Sequence, residues 1–265
     1  MDRSLCEAAI TGNIPSLHEL IKNDPLLLDT VAAGCFNGAS PLHVAASNNQ
    51  LPFVKELLQH KPELTEVLDS QLRSALHLAS AKGHDEVVRA LVKANPDMCL
   101  VRDRDGKNPL HVAAAKGKID VLRELVEACP QAARDRVDRN ETILHLCVKH
   151  NQLESLKVLL EAIQGEELVN AKDNDGNTIL HLAILDKRHE ILGTIVAPDS
   201  PDAWEGKDQG RWLIFDDVNG LNVDGPGMID GQGDDCVSIG DHTSNILISD
   251  INCGPGHGVR QVLIT

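Results

Sequence analysis

Two adjacent carboxylates, Asp234 and Asp235, close the stretch Gly231-Gln232-Gly233-Asp234-Asp235-Cys236, and a histidine follows in Cys253-Gly254-Pro255-Gly256-His257-Gly258. A carboxyl kept protonated beside one kept ionised can divide acid and base work on a substrate and a water. A second series is periodic: His43, His77, His111, His145 and His181 lie 34, 34, 34 and 36 residues apart. Imidazole is a common metal ligand, but equivalent side chains in stacked repeats stand along a ladder, whereas a metal needs ligands that converge on one point. Each of these histidines is therefore expected to hydrogen-bond a neighbouring turn, and neither a metal nor a cofactor is expected.

The elements that position the histidines repeat with them. Asn108-Pro109-Leu110-His111-Val112-Ala113-Ala114 has near copies in Ser40-Pro41-Leu42-His43-Val44-Ala45, Ser74-Ala75-Leu76-His77-Leu78-Ala79, Thr142-Ile143-Leu144-His145-Leu146-Cys147 and Thr178-Ile179-Leu180-His181-Leu182-Ala183. Ser, Asn and Thr open each copy as N-cap residues, and Pro41 and Pro109 suit a first helical position. Ten to fifteen residues past each histidine, paired apolar residues such as Phe53, Val54, Leu57 and Leu58 form one stripe of a second helix. In the fourth such stripe Ser155 is the polar intruder. Asn49, Gly83, Gly117 and Asn151, between the helices, tolerate the left-handed conformation that ends the first one. Gly38, Gly106, Asn140 and Gly176 hold the corresponding place in the turn before each copy, while Leu72 breaks that rule and predicts a distorted turn. Leu5-Cys6-Glu7-Ala8-Ala9, with Gly12, Leu17, Leu20 and Ile21, reads as a degenerate first unit without its histidine, as a capping repeat allows.

These residues resemble the ankyrin repeat, whose signature is T-P-L-H-x-A, over about residues 1–190. The resemblance implies a mainly α solenoid of helix pairs, about six units, that binds another protein through hairpin tips and inner helices. The tips at 36–39, 70–73, 104–107, 138–141 and 174–177 are expected to line a concave face. Charged runs such as Arg102-Asp103-Arg104-Asp105 read as solvated tips. The wording Asp24-Pro25-Leu26-Leu27-Leu28-Asp29 is similar to plant ankyrin-repeat proteins implicated in defence signalling, many of which continue into a membrane-spanning region that this chain lacks.

Past His189 the pattern changes. Residues 191–265 hold 12 of the 20 glycines and 12 acids against three bases. Short apolar runs such as Arg211-Trp212-Leu213-Ile214-Phe215 and Gly220-Leu221-Asn222-Val223, divided by Gly, Asn and Asp, read as strands and turns. The D-D-C and C-G-P-G-H-G blocks resemble the polygalacturonases, pectin-cleaving enzymes built as a right-handed parallel β-helix, over about residues 192–259. That resemblance implies Asp234 as acid, Asp235 as part of the base pair that activates water, His257 as a supporting residue and a Cys236–Cys253 disulfide. The family's N-T-D and R-I-K motifs are absent, and the chain stops at Thr265 before the later coils, so an inactive fragment is expected. Ile191, Leu192, Ile195 and Val196 fit the last ankyrin helix, whereas the polygalacturonase resemblance reads Gly193 to Val196 as a strand; the helix reading puts the division at an ankyrin domain of 1–196 and a β-helix segment of 197–265.

A formal net charge of -15 opposes binding to nucleic acid and anionic membranes. No apolar run approaches the roughly 20 residues of a membrane span, and no secretory signal opens the chain, so a cytoplasmic protein is expected. Five cysteines, Cys6, Cys35, Cys99, Cys129 and Cys147, read as small buried hydrophobes. Three functional readings follow: a protein-interaction scaffold with an unidentified protein partner; a secreted or cell-wall pectin hydrolase; and a fusion of two unrelated coding regions, or a mis-joined gene model.

Overall fold

The computed structural model describes residues 3–31, 38–163 and 166–185, together with six two-residue strands between Ile214 and Cys253. The chain forms two compact units, Met1–Gln164 and Gly165–Thr265. The expected helix over 191–196 and the division at 196/197 lie outside the described residues.

In the first unit helices come in pairs: α1 (Arg3–Thr11) with α2 (Ile14–Asn23), then a short α3 (Leu27–Val31), α4 (Pro41–Ser47) with α5 (Leu51–His60), and α6 (Ala75–Lys82) with α7 (Asp85–Ala94). Two further pairs follow, α8 (Pro109–Ala115) with α9 (Ile119–Ala128) and α10 (Ile143–Lys149) with α11 (Leu153–Ala162). First helices pack on first helices and second on second, so the unit is a stack of two helix rows. The core runs between the rows, through Leu42, Ala45, Phe53, Val54 and Leu57 and their equivalents Leu110, Ala113, Val121, Leu122 and Leu125, all at most 1% exposed. Alanine at the signature's end is what lets the rows approach this closely. The degenerate first pair contributes Leu5, Ala8, Ala9 and Leu17, so it caps the stack without its own histidine.

Local chemistry sets the element ends as expected. Ser40, Ser74, Asn108 and Thr142 are N-caps whose side chains accept the backbone N–H three residues on. Asn49, Gly83, Gly117 and Asn151 all take positive φ. Leu72 gives a correction. Its turn is undistorted: the Leu72 N–H donates to the Asp69 carbonyl at 2.9 Å, as Gly106 does to Asp103 at 3.0 Å. The leucine simply adopts φ 59, where a Cβ is unfavourable, because the pairing on either side leaves it no other path. Leu72 is 47% exposed, so little packing would be lost. Leu72→Gly is expected to stabilise the first unit by about 1 kcal/mol, read as a higher urea midpoint at unchanged slope. The irregular turn lies instead before α10, where Arg139 and Asn140 both take positive φ in the 3-10 turn Asp138–Asn140.

Two buried hydroxyls, Ser80 Oγ and Ser155 Oγ, have no hydrogen-bond partner among the described residues. Ser80 stands where Ala46 and Ala114 stand in neighbouring repeats. Removing an unsatisfied buried group restores the desolvation cost, so Ser80→Ala is expected to raise stability by about 1 kcal/mol in a thermal or urea melt. Of the expected buried cysteines, Cys6, Cys99, Cys129 and Cys147 are buried free thiols, and Cys35 lies outside the described residues. Burial pushes Cys99 and Cys147 up to about 12, which leaves them unreactive.

The second unit holds α12 (Glu166–Val169) and α13 (Ile179–Leu185), the latter built on the Thr178 signature. Its strands are β1 (Ile214–Phe215), β2 (Asn222–Val223), β3 (Met228–Ile229), β4 (Ser238–Ile239), β5 (Leu247–Ile248) and β6 (Asn252–Cys253). All three pairings are parallel: β1 with β4, β2 with β5 and β3 with β6. Partners such as Ile214 and Ser238, or Met228 and Asn252, stand 24 residues apart, and Asn222 and Leu247 stand 25 apart.

Candidate functional site

His43, His77, His111 and His145 are buried and His181 is half-buried, and the first three are bonded at both ring nitrogens. The Ser40 N–H donates to His43 Nδ1 at 3.1 Å while His43 N–H returns to Ser40 Oγ, closing a capping box in which histidine replaces the usual glutamate. Because Nδ1 accepts, the neutral ring carries its proton on Nε2, which donates to the Arg73 carbonyl of the next repeat at 2.8 Å. His77 repeats this with Ser74 and the Lys107 carbonyl at 3.0 Å, and His111 with Asn108 and the Asp135 carbonyl at 3.2 Å. Thr142 and Thr178 donate to the Nδ1 of His145 and His181 in the same way. His43, His77 and His111 thus act as stitches between a helix start and the following turn, as their spacing implied. Burial lowers the proton affinity of His43 and His77, although the next repeat's carbonyl opposes it, and lowers that of His111 to about 4.

The turns these stitches reach carry a residue that the pattern did not single out. Asp69 Oδ1 accepts the Gln71 and Arg73 N–H groups at 2.8 and 2.9 Å, Asp103 Oδ1 those of Asp105 and Lys107 at 3.0 and 2.8 Å, and Asp173 Oδ1 those of Asp175 and Asn177 at 2.9 and 2.8 Å. Each stands eight residues before a signature histidine, an offset that could have revealed it. Where Val137 replaces it, the turn takes the irregular form described above. Burial by itself would raise the Asp69 carboxyl, but hydrogen bonds from the Arg73 side chain and from the Arg73 and Gln71 N–H groups outweigh it and hold the group low. Asp103 is therefore a turn anchor within Arg102-Asp103-Arg104-Asp105 rather than a solvated charge. Arg102 also departs from that reading, pairing with Asp135 at 3.1 Å, whereas Arg104 and Asp105 are exposed.

The result is a row of tips with exposed ends, three of them on bases locked by an aspartate. Ser70, Gln71, Leu72, Arg104, Asp105, Asp138, Arg139 and Asn140 are exposed in the first unit, and the Arg104 N–H donates to the Gln71 carbonyl at 2.9 Å, tying one tip to the next. Asn174, Asp175 and Gly176 are the exposed tip of the second unit. Residues 36 and 37 of the first expected tip lie outside the described residues, as do Asp234, Asp235, Cys236 and His257. Cys253 falls in β6.

The family described as "Ankyrin repeats (3 copies)" matches residues 5–102, 95–168 and 132–203. "Glycosyl hydrolases family 28" matches residues 232–260, a span that contains both carboxylates, both cysteines and His257. An exopolygalacturonase of Arabidopsis thaliana is 33% identical over 93 residues, 34% of this chain and 19% of that protein. A polygalacturonase of Medicago sativa is 46% identical over 67 residues, 25% of this chain and 14% of that one. A third relative, a polygalacturonase of Cryptomeria japonica, is 66% identical over 29 residues, 11% of this chain and 6% of that protein. The chain spans less than a fifth of the length of these curated relatives. It therefore joins a run of ankyrin repeats to a short polygalacturonase-like segment, and no helix among the described residues is long and apolar enough to cross a membrane.

Proposed function

We propose that this chain, which belongs to the ankyrin-repeat family, is a protein-interaction scaffold whose partner lies along the tip row and inner helices, on the concave face of the stack. The observation that carries this reading is the combination of exposed tip residues with turn bases locked by Asp69 and Asp103. Loop residues held in place before binding spare a partner the entropy of ordering them. The Asp24-Pro25-Leu26-Leu27-Leu28-Asp29 wording, similar to plant ankyrin-repeat proteins implicated in defence signalling, supports a role of that kind. The test is capture of proteins from plant lysate on the immobilised full chain, compared with a Gln71→Ala, Arg104→Ala, Asp105→Ala variant. Loss of captured proteins by the variant at an unchanged melting temperature supports the tip row. Equal capture by both overturns it.

A second reading concerns the segment after about 197. Three parallel pairings at 24–25-residue offsets are what successive coils of a β-helix make, and they favour such a fragment here. In this reading Asp234 is the acid, Asp235 belongs to the base pair, and Cys236 and Cys253 bridge in an oxidising compartment. Without the N-T-D and R-I-K motifs the fragment is inactive on pectin. Release of reducing ends from polygalacturonan by the purified chain, abolished in Asp234→Asn, would overturn that inactivity. A transcript read that fails to join codons 185 to 240 would assign the two parts to separate genes.

A further inference from the structure

Away from the histidine ladder, one cluster does converge. His18 on α2 and Glu56 and His60 on α5 point three ligand atoms at a common space, all within 4.8 Å of one another. His18 Nε2 lies 2.6 Å and His60 Nε2 3.4 Å from the same Glu56 oxygen, and the imidazole centroids are 6.1 Å apart at an interplanar angle of 73°. Glu56 and His60 are one helical turn apart, which sets both on one face of α5. The side chains are 53%, 24% and 41% exposed for His18, Glu56 and His60, open enough for an ion to enter.

We propose that His18, Glu56 and His60 bind a divalent cation of the zinc type and so staple the first helix pair to the second. Two imidazoles and one carboxylate suit zinc in ligand class. Bonds of about 2.0–2.1 Å in a tetrahedral site place ligand atoms roughly 3.3 Å apart, a spacing these groups reach by small side-chain rotations. Three protein ligands leave a fourth position for water. On binding, each Nε2 turns from donor toward Glu56 to donor of a lone pair toward the ion, its proton passing to Nδ1, so a neutral ring loses no charge.

The position gives the staple a purpose. Every later pair has a signature histidine, and those of the second, third and fourth pairs stitch to the next turn. The first pair has none, and its residues at the matching place are Leu5 to Ala9. A metal bridge between α2 and α5 would add to the Gln50 Nε2–Ile10 carbonyl bond a link in place of the histidine stitch that the first pair lacks.

The experiment uses the purified full chain with its thiols reduced, titrated with Zn²⁺ against a chromophoric chelator and with Co²⁺ followed by visible absorption. One ion per chain is expected at this site. Binding should weaken at least tenfold in His18→Ala and in Glu56→Gln, and hold in His150→Ala, where an exposed histidine elsewhere is removed. Zinc should raise the melting temperature of the parent and not of the two cluster variants. Circular dichroism shows that the variants fold, and Glu56→Gln is near-isosteric if His18→Ala is not tolerated. Equal affinity in parent and cluster variants, or Co²⁺ bands of the thiolate charge-transfer type that mark cysteine ligation, overturns the proposal.

Discussion

His111→Ala will destabilise the repeat stack by about 3 kcal/mol, the range for a large buried side chain whose removal also strands polar partners. The ring is 0% exposed, so alanine leaves a cavity that the close helix rows cannot collapse into. It also strands a buried group and a part-buried one: the Asn108 N–H loses its acceptor, and the Asp135 carbonyl of the next repeat loses its donor. Because the stitch crosses between repeats, the loss reduces the coupling between neighbours as well as the stability of one pair. A urea titration followed by circular dichroism measures it, with His150→Ala as the exposed control, expected within about 0.5 kcal/mol of the parent. A loss for His111→Ala no larger than that of the control would show that the ring is not the stitch between repeats.

The same burial makes the stack acid-sensitive before its carboxylates titrate. An unfolded histidine takes up a proton near pH 6.5, whereas folded His111 refuses it until about pH 4. Between those values the unfolded chain binds a proton that the folded chain does not, so stability falls as the pH drops through this window and is complete above it. At about 1.4 kcal/mol for each pH unit between the two values, His111 alone removes about 3 kcal/mol by pH 4. His43 and His77 shift in the same direction and add to the loss. Asp69 acts lower: its carboxyl is held below its ordinary value, so its contribution is present above the unfolded carboxylate range and is lost only as pH falls through the folded value. Melting temperatures recorded at pH 7.5, 6, 5 and 4.5 should therefore decline from just below pH 6.5, with a shallower decline in His111→Ala. A flat profile down to pH 4.5 would mean that the buried rings accept protons freely in the folded state.

Much of the stack was readable because ankyrin units solve one packing problem repeatedly with neighbours in the chain. The N-cap at Ser40, the left-handed Asn49 and the stripe Phe53, Val54, Leu57 are each set by residues within a few positions, and repetition multiplied the signal. Asp69, Asp103 and Asp173 escaped notice because an aspartate beside a turn looks the same whether its oxygen holds the turn or meets water; only the N–H groups two and four residues on distinguish the cases. Leu72 misled for the opposite reason. A local rule about glycine was overridden by hydrogen bonds on both sides of the turn, which force a leucine through a conformation it would not choose.

The Asp234, Asp235 and His257 set is a different case, since it was legible only as a resemblance. Its carboxylates are two adjacent residues, and adjacency in the chain does not say which of them would be dry or paired.

What the sequence determined by itself is the order of helices, the repeat register and the structural role of the signature histidine. Those follow from short-range preferences and a fixed period, and need no knowledge of distant contacts. Only the tertiary structure decided that Leu72 carries the strain, that Asp69 anchors its turn, and that His18 meets Glu56 and His60 across 38 and 42 residues of chain. For Asp69 and Leu72 the reason is local, since residue type alone does not say which oxygen holds a turn or which backbone conformation a turn imposes; for the histidine cluster it is long-range. Stacking brings together groups whose separation in sequence carries no periodic signal, and the energy of such a meeting depends on distances that composition and spacing do not contain.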